Sequence, residues 1–463
     1  MFAYAPDEPR RPVTYTSPHE RPELRAPADV ARITRVLQDA GFDTWTVGGA
    51  VRDALAGRAP GDWDLTTAAR PRDVQRLFRR TVPVGVAHGT VGVLGKDGRM
   101  YEVTTFRRDV ETDGRHAVVR FSDTVEQDLQ RRDFTINAVA WHPLTREVRD
   151  PHGGMRDLRD GVLRTVGDPR ERFREDRLRV LRALRFAARF GLRVDDATWA
   201  AARDSAPELP HLSAERVREE LLKVLRETEH PSAALRLYEG CGALATLYPE
   251  LQACAGVPDG EADVWTHLLH AADALPRHHA TLRLPALLHD VGKSRTTDPA
   301  EHAAVGAATV FGLMRRLKFS NAETDRLVHL VAQHSGLPSP DAPEAELRRW
   351  IRRVGPAFVR DVVRLRVADV TARGAGEGDP RLRDASALRR RVGRMLASAP
   401  ALTIGDLAIG GAELRHLGVP AGPLMGEILR DLLEAVTDDP SLNTREALTE
   451  IVRRRLDTPP DAE

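Results

Sequence analysis

The pattern of this sequence changes character near Asp168. Before that point, helix-spaced and alternating runs follow one another. Val30, Ile33, Val36 and Leu37 mark a helix that ends at Gly41, and the apolar run over residues 44–47 reads as a strand. Gly48-Gly49, another helix and another strand come next. The turn Gly95-Lys96-Asp97-Gly98 then joins two alternating runs, residues 90–94 and 99–105, into a hairpin. After Asp168 leucine and alanine recur at helical spacing between arginines almost to the C-terminus, and strand signals disappear. The expected fold class is therefore α+β, with the strands confined to the N-terminal part and an all-helical remainder.

A length of 463 residues exceeds one compact core, and domains of about 100 to 200 residues imply three or four of them. Breaks containing Pro and Gly near residues 255–261, 336–343 and 373–380 divide the helical part. The expected organisation is a Pro-rich, charged, disordered arm over 1–27, the α+β region over 28–150, and helical regions over 151–255, 256–375 and 376–463. The residues from about Asp457 read as a disordered tail. No stretch approaches about 20 consecutive apolar residues, so no membrane span is expected. The first residues lack the basic-then-apolar layout of a secretory signal, and the expected compartment is the cytoplasm. Cys241 and Cys254 are the only cysteines, too few for a disulfide framework.

Net charge says little, because 69 basic residues face 68 acidic ones. Lysine occurs only at Lys96, Lys223, Lys293 and Lys318, so 65 of the basic residues are arginine. Arginine reads phosphates and bases well through its planar fork of donors. At about one residue in seven, however, a cluster of arginines carries meaning only by its position.

Position singles out one constellation. Gly48 and Gly49 follow a strand and open a helix carrying Arg52, which places backbone N–H groups and a guanidinium where a triphosphate would fit. Alone, this is an ordinary tight turn. Asp62 and Asp64 flank Trp63, and in a strand residues i and i+2 share a side, so the two carboxylates converge where divalent ions such as Mg2+ would sit. Glu102 lies opposite the apolar Tyr101 and Val103 on the second hairpin strand, either as a third carboxylate or as an exposed strand glutamate. Arg131, Arg132, Asp133 and Asn137 follow, with 133 and 137 as i, i+4 neighbours if helical. They could grip a ribose and phosphates, or form a solvated helix face. Over residues 175–186 one helix is expected to carry Arg179, Arg182, Arg185 and Arg189 within one arc, opposite Val180, Leu181, Leu184, Ala187 and Ala188. Asp176 lies one turn before Arg179, pairing an acceptor with a donor. The pair could meet the edges of a base; without context it is an Arg-rich surface.

The motifs Val47-Gly48-Gly49-Ala50-Val51-Arg52-Asp53, Asp62-Trp63-Asp64-Leu65-Thr66-Thr67, His88-Gly89-Thr90-Val91, Tyr101-Glu102-Val103-Thr104-Thr105-Phe106-Arg107, Arg131-Arg132-Asp133-Phe134-Thr135-Ile136-Asn137-Ala138 and Glu175-Asp176-Arg177-Leu178-Arg179 resemble, in this order, bacterial class II tRNA nucleotidyltransferases and their poly(A) polymerase relatives. The resemblance covers about residues 27–255. It continues through Asp406-Leu407-Ala408-Ile409 and Asp439-Pro440-Ser441-Leu442-Asn443-Thr444-Arg445-Glu446 near the end. It implies a polymerase-β-like nucleotidyltransferase head over 28–150 and helical neck, body and tail regions that hold tRNA. It also implies that Gly49 and Arg52 contact the triphosphate of CTP or ATP and that Asp62 and Asp64 bind Mg2+. Arg131, Arg132 and Asp133 would hold sugar and phosphates, and Asp176, Arg179, Arg182 and Arg185 would judge the incoming base. One departure lies in the loop over residues 109–123, whose family counterpart flexes between C and A addition and often carries a Pro after the Arg-His step; here Ala117 follows His116.

A second constellation sits in the helical part. His267 and the pair His289-Asp290 suit a divalent transition metal, although a buried His-Asp pair also serves as a structural hydrogen bond. The pattern resembles the HD phosphohydrolase superfamily, whose signature is His, His-Asp and a distant Asp. Asp369 matches the last ligand, and His302 and His334 could line the site. The function implied by both resemblances is addition of all or part of CCA to tRNA. The alternatives are a CC-only or A-only enzyme, a poly(A) polymerase, or an HD-type phosphohydrolase with an RNA-binding head. Oligomeric state is left open.

Overall fold

The computed structural model describes residues 24–86, 89–112, 117–398 and 400–457. The chain divides into two compact units that meet between Pro249 and Glu250. Most of the arm expected over residues 1–27, His88, the His116 step of the expected switching loop and the last residues of the tail lie outside the described residues. Of the arm, Leu24 and Ala26 are described, and both pack against the first core.

The first unit opens with α1 (Ala28–Asp39), whose Val30, Ile33 and Leu37 are fully buried, as their spacing requires. It continues through β1 (Thr44–Val47), α2 (Gly49–Leu55), β2 (Asp64–Thr67), α3 (Pro71–Leu77), β3 (Thr81–Gly85), β4 (Thr90–Leu94), β5 (Met100–Thr105), β6 (Arg107–Thr112), β7 (Ala117–Phe121), α4 (Val125–Gln130), β8 (Ala140–Trp141) and β9 (Val148–Arg149). Seven strands form one sheet in the order β3-β4-β5-β2-β1-β8-β9, and β6 and β7 pair separately. The expected hairpin is β4–β5, closed by Gly95 N–H donating to Arg99 O at 2.7 Å, with Gly98 at φ +79°.

Alternation along the strands sorts the sheet into two faces. Leu65, Val91, Val93, Tyr101 and Val103 join Val30, Ile33, Val51, Leu55 and Val74 in a core under α1, α2 and α3. Trp45 and Val47 on the other face pack with Phe106, Val125 and Leu129. β2 and β5 are parallel, with Leu65 opposite Val103. One residue earlier in the same register, Asp64 and Glu102 therefore stand side by side on the face that Leu65 and Val103 do not use.

The unit continues with α5 (Gly154–Arg159), β10 (Val162–Leu163), α6 (Pro169–Glu175), α7 (Leu178–Phe190), β11 (Arg193–Val194), α8 (Asp196–Ser205), α9 (Ala214–Glu227), α10 (Pro231–Cys241), α11 (Ala243–Leu247) and α12 (Pro249–Gln252), the last crossing the boundary. α7 packs on α9 and α10. Two findings correct the sequence reading. The helix expected over residues 175–186 is broken, because Asp176 ends α6 in an extended conformation and α7 begins at Leu178. The helical part also holds short strands: β10 pairs parallel with β11, and in the second unit β12 (Pro258–Asp259) pairs with β13 (Ala262–Asp263). Runs of two residues carry no readable period.

The second unit contains α13 (Val264–Asp273), α14 (Ala280–Leu288), α15 (His302–Arg316), α16 (Asn321–Ala332), α17 (Glu344–Val354), α18 (Val359–Ala372), α19 (Pro380–Ala397), α20 (Gly411–His416), α21 (Pro423–Asp438) and α22 (Arg445–Asp457). One core joins α13, α14, α17, α18 and α19; another joins Ile409, Leu414, Ile428, Leu432, Val436, Leu448 and Val452 nearer the C-terminus. Arg349 and Arg352 of α17 donate to Glu434 of α21 at 3.0 and 2.8 Å, tying the two together. No helix among the described residues is long and apolar enough to cross a membrane.

Candidate active sites

Three carboxylates gather at the edge of β2. Trp63 is buried against Trp141, their ring centroids 5.8 Å apart, and this anchor fixes the two aspartates on either side of it. The strand begins only at Asp64, so Asp62 stands on the bend before it rather than within a shared strand. Its charge nonetheless reaches Asp64. Burial first, and then the charges of Glu102 and Asp62, push the Asp64 carboxyl up to about 6, against the opposing pull of Arg132. Asp64 and Glu102 are half-buried and Asp62 is exposed; carboxylates whose charges oppose one another in this way are relieved by a hard cation, and all-oxygen donors suit Mg2+. The donor set fits that ion.

Gly48 precedes α2 at φ +76°, and a Cβ there would come within 3.2 Å of Arg132 Nη1 and 3.8 Å of Asp64 Oδ2. Glycine is what allows this close approach. Arg132 is held by Asp128, a fully buried carboxylate that accepts from Arg131 Nε at 2.9 Å, Arg131 Nη2 at 2.8 Å and Arg132 Nη2 at 3.1 Å. Burial would raise the Asp128 carboxyl, but the two guanidiniums outweigh it and hold it low. Asp128 escaped the sequence reading although it sits three and four residues before its partners, the spacing that brings side chains together on a helix.

Asp133 and Asn137 meet, but through a turn and a short 3-10 helix rather than the α-helix considered above. Asn137 Nδ2 donates to Asp133 Oδ1 at 2.9 Å, and Asn137 Oδ1 accepts from Arg52 Nη1 at 2.7 Å. Arg52 is buried. Its Nε and Nη2 donate to Asp53, and its Cζ lies 4.3 Å from the Phe190 ring centroid, so it binds α2 to the polar turn and to the end of α7. Arg182 Nε and Nη2 reach Asp133 Oδ2 at 2.9 and 2.6 Å. Burial opposes ionisation of Asp133, yet Arg182 and Asn137 hold its carboxyl down at about 2.

The arginine row of α7 is therefore not an open row of forks. Arg185 is buried and paired with Glu220 and Glu227 of α9, both at 2.8 Å, and Arg189 shares Glu227 at 2.8 Å. Asp176 and Arg179 meet through the backbone, Arg179 N–H donating to Asp176 O at 3.0 Å, while their side chains turn to other partners. Arg179 Nη1 donates to Glu175 Oε2 at 2.5 Å, and Arg216 Nη2 donates to both oxygens of Asp176 at 2.9 and 2.8 Å. Both remain half-buried beside the Asp133 turn. Glu220, Glu227 and Arg216 were missed because they lie on a helix that follows α7 by a whole further helix and turn.

In the second unit, ligand atoms of His267, His289, Asp290 and Asp369 lie within 4.8 Å of one another, and Asp290 forms a second such group with His302 and His334. His267 Nε2 is 3.2 Å from both His289 Nε2 and Asp369 Oδ1. Asp290 turns Oδ2 toward His289 Nε2 at 3.4 Å and Oδ1 toward His334 Nε2 at 3.2 Å. His289, His302 and His334 each rest Nδ1 on a backbone carbonyl, of Ala286, Pro299 and Val331, an arrangement in which Nε2 would be the ligating nitrogen of the neutral ring. Burial opposes a charge on His289, yet Asp290 and then Asp369 push its imidazole up to about 10, so a metal there would have to displace that proton. Gly292 permits the arrangement, since a Cβ there would meet His302 O at 2.0 Å. Burial holds His267 and His334 below the usual imidazole range, in the neutral form that ligates. This donor set fits a divalent transition metal.

Lys293 and Arg373 border the same atoms, and sequence reasoning assigned neither a place there. Lys293 Nζ lies 2.6 Å from Asp290 Oδ2. Arg373 donates to Asp369 Oδ1 at 3.0 Å, Asp290 Oδ2 at 3.2 Å and Asp259 Oδ2 at 2.9 Å. Asp259, on the short β12–β13 turn, holds both cations. A cavity of about 570 Å3 opens on this cluster, lined by Asp290, Lys293, His302, His334, Arg366 and Arg373 among others.

Comparison with known proteins follows the same division. Residues 44–164 match the Poly A polymerase head domain, residues 191–254 a probable RNA and SrmB-binding site of polymerase A, and residues 262–374 the HD domain. The CCA-adding enzyme of Geobacillus stearothermophilus is 34% identical over 419 residues, 90% of this chain and 94% of its own length. The chain belongs to the CCA-adding enzyme family. The CCA-adding enzyme of Lactiplantibacillus plantarum is 33% identical over 431 residues, 92% of this chain and 96% of its own length. The crystal structure of the Bacillus stearothermophilus CCA-adding enzyme in complex with CTP superposes with a TM-score of 0.70 at 31% identity, covering 93% of this chain and 97% of that one. The Thermotoga maritima CCA-adding enzyme complexed with tRNA shares the fold, with a TM-score of 0.56 at 20% identity over 93% of this chain and 97% of that one. The α+β head followed by helices is thus the architecture of CCA-adding enzymes.

Proposed function

We propose that this chain adds the 3′-terminal CCA of tRNA, or part of it, from CTP and ATP by template-independent nucleotidyl transfer in the cytoplasm. The observation that carries this reading is the carboxylate cluster of Asp62, Asp64 and Glu102 beside the Gly48 turn, in a chain of this family. Asp62 and Asp64 would hold Mg2+, with Glu102 as the third carboxylate. Mg2+ bound there supplies charge neutralisation for the triphosphate and a more acidic attacking hydroxyl. Gly48 and Gly49 let a triphosphate approach the backbone, Arg131 and Arg132 present guanidiniums to it, and Asp133 and Asn137 form the sugar-facing turn. Asp176 and Arg179 read the base. Arg182 and Arg185 act from within, holding α7 against the Asp133 turn and α9, and Arg52 does the same for α2. In this scheme residues 28–150 are the catalytic head, 151–255 the neck, 256–375 the HD domain and 376–463 the tail.

The HD centre supports a second reaction. His267, His289, Asp290 and Asp369 would hold a divalent transition metal, since imidazole is a poor ligand for Mg2+. Phosphate ester hydrolysis, with 2′,3′-cyclic phosphates as the substrate class, is the activity proposed for it. One experiment separates the readings. Purified protein is given tRNAs ending in the discriminator base, C, CC or CCA, with each nucleoside triphosphate singly and together. CCA addition predicts C, C and then A, stopping there. A stop after CC, addition of A only to CC ends, or a long A tract would each replace the proposal with the corresponding alternative, and no incorporation at all would leave the HD hydrolase.

A further inference from the structure

α9 presents a polar face to α7. At about 100° per residue Arg216, Glu220 and Glu227 fall within about 40° of one another, and they engage in turn Asp176, Arg185, and Arg185 with Arg189. Two of these contacts are internal ties. The third touches the residue proposed to read the base.

Asp176 follows α6 and precedes α7, so no helix fixes its side chain. Its carboxylate is oriented by two groups: Leu178 N–H donates to Oδ1 at 3.1 Å, and the single Nη2 of Arg216 straddles Oδ1 at 2.9 Å and Oδ2 at 2.8 Å. Together they pin the carboxylate plane and leave Oδ2 with acceptor capacity to spare. An acceptor in a fixed direction is what separates the two nucleotide classes. Cytosine and adenine offer exocyclic amino donors, whereas uracil and guanine offer carbonyl oxygens at the corresponding places. A carboxylate free to rotate can turn away from a carbonyl that it should reject. The side chains of Arg216 and Asp176 are 32% and 29% exposed, and a pair this open contributes little to folding. What it supplies is direction.

We propose that Arg216 is a positioning residue that sets nucleotide selectivity by holding Asp176 in register with Arg179. The inference rests on the assignment of Asp176 and Arg179 as base readers. The test measures kcat/KM for CTP, ATP, UTP and GTP on tRNA ending in C or CC, with the wild type and the Arg216→Ala, Arg216→Lys, Asp176→Ala and Arg179→Ala variants. Melting temperature and tRNA affinity are recorded for each. The expected result is a preference for CTP and ATP over UTP and GTP reduced by about tenfold in Arg216→Ala, at the lower end of what one good base contact provides. Arg216→Lys should lie between that variant and the wild type, because its point charge restores attraction without the planar fork. Melting and tRNA affinity should stay near wild type. If Asp176→Ala loses the preference while Arg216→Ala keeps it, slows all four nucleotides equally or loses only tRNA affinity, the positioning role is overturned. If Asp176→Ala and Arg179→Ala both keep the preference, the base-reading assignment fails first and this inference falls with it.

Discussion

Replacing Glu220 by alanine tests whether α7 is held from inside. The side chain of Arg185 is 4% exposed and that of Glu220 1%, and their 2.8 Å contact lies where water cannot substitute for either partner. Removing one member of a buried pair strands the other, at about 3–5 kcal/mol. Glu227 still reaches Arg185 Nη1 at 2.8 Å, and being 30% exposed it can follow a small movement, so the expected loss is about 2–4 kcal/mol. For a unit of this size that corresponds to about 5–15 °C in melting temperature. The double variant Arg185→Met, Glu220→Leu removes both charges and should recover most of the loss. The pH dependence has a definite sign. Burial raises the Glu220 carboxyl, but Arg185 and then Lys223 hold it below its ordinary value. The pair's contribution is therefore complete above the unfolded value of about 4.3 and is lost as the pH falls below it. The assay is thermal and urea unfolding of the full chain at pH 7 and at pH 4, with all three proteins. A Glu220→Ala variant melting within about 2 °C of wild type at pH 7, or a double variant as unstable as the single one, would refute the buried-brace reading of Arg185.

Three further outcomes are expected. Asp64→Asn and Asp62→Ala should abolish nucleotide incorporation while tRNA affinity, carried by many phosphate contacts, stays near wild type and falls with salt; filter binding and incorporation assays on the same preparations check both. Cys241 and Cys254 are buried, and burial pushes their thiols up to about 11 and about 12, so neither should react with a thiol reagent until the chain unfolds, and rapid labelling of the native protein would contradict the packing. His289→Ala combined with Asp290→Ala should eliminate stoichiometric transition metal from the reconstituted protein and leave CMP addition by the head near wild type. A wild-type protein that takes up no such metal would favour a purely structural role for the cluster.

The head was legible where periodicity is strict. The helix at Val30, the strand over residues 44–47 and the β4–β5 hairpin needed only their own residues to be recognised, and the parallel register of β2 and β5 then places Asp64 next to Glu102. The α7 face was legible only in part. A hydrophobic arc identifies the side that is buried, and leaves the opposite side looking solvated. Here that opposite side meets a second amphipathic helix whose carboxylates Glu220 and Glu227, two turns apart, both receive Arg185, with Arg189 one turn further along α7 sharing Glu227. No feature of residues 178–190 announces such a partner. The same limit explains Asp176: the pattern gave its neighbour along the helix, whereas the chain breaks after Glu175 and offers Arg216 instead.

The HD centre shows the complementary case, in which the candidate ligands were legible and the charges around them were not. His267, His289-Asp290 and Asp369 are recognised as types at a spacing, and the fold brings all four together. Asp259, Lys293, Arg366 and Arg373 carry no such signal, yet they set the electrostatics. Three carboxylates, Asp259, Asp290 and Asp369, face three cations, because Arg366 also donates to Asp369 at 2.6 Å. Carboxylates and cations of these side chains thus pair one for one, so a divalent ion would add positive charge beyond what the three carboxylates offset. Such an ion is held best together with an anion. The cavity of about 570 Å3 that opens on Lys293, Arg366 and Arg373 offers the room for a phosphate ester to bring that charge, and ion and ester should therefore bind more tightly together than apart. The arginines that looked like background composition would then make metal uptake at this centre depend on an anionic ligand.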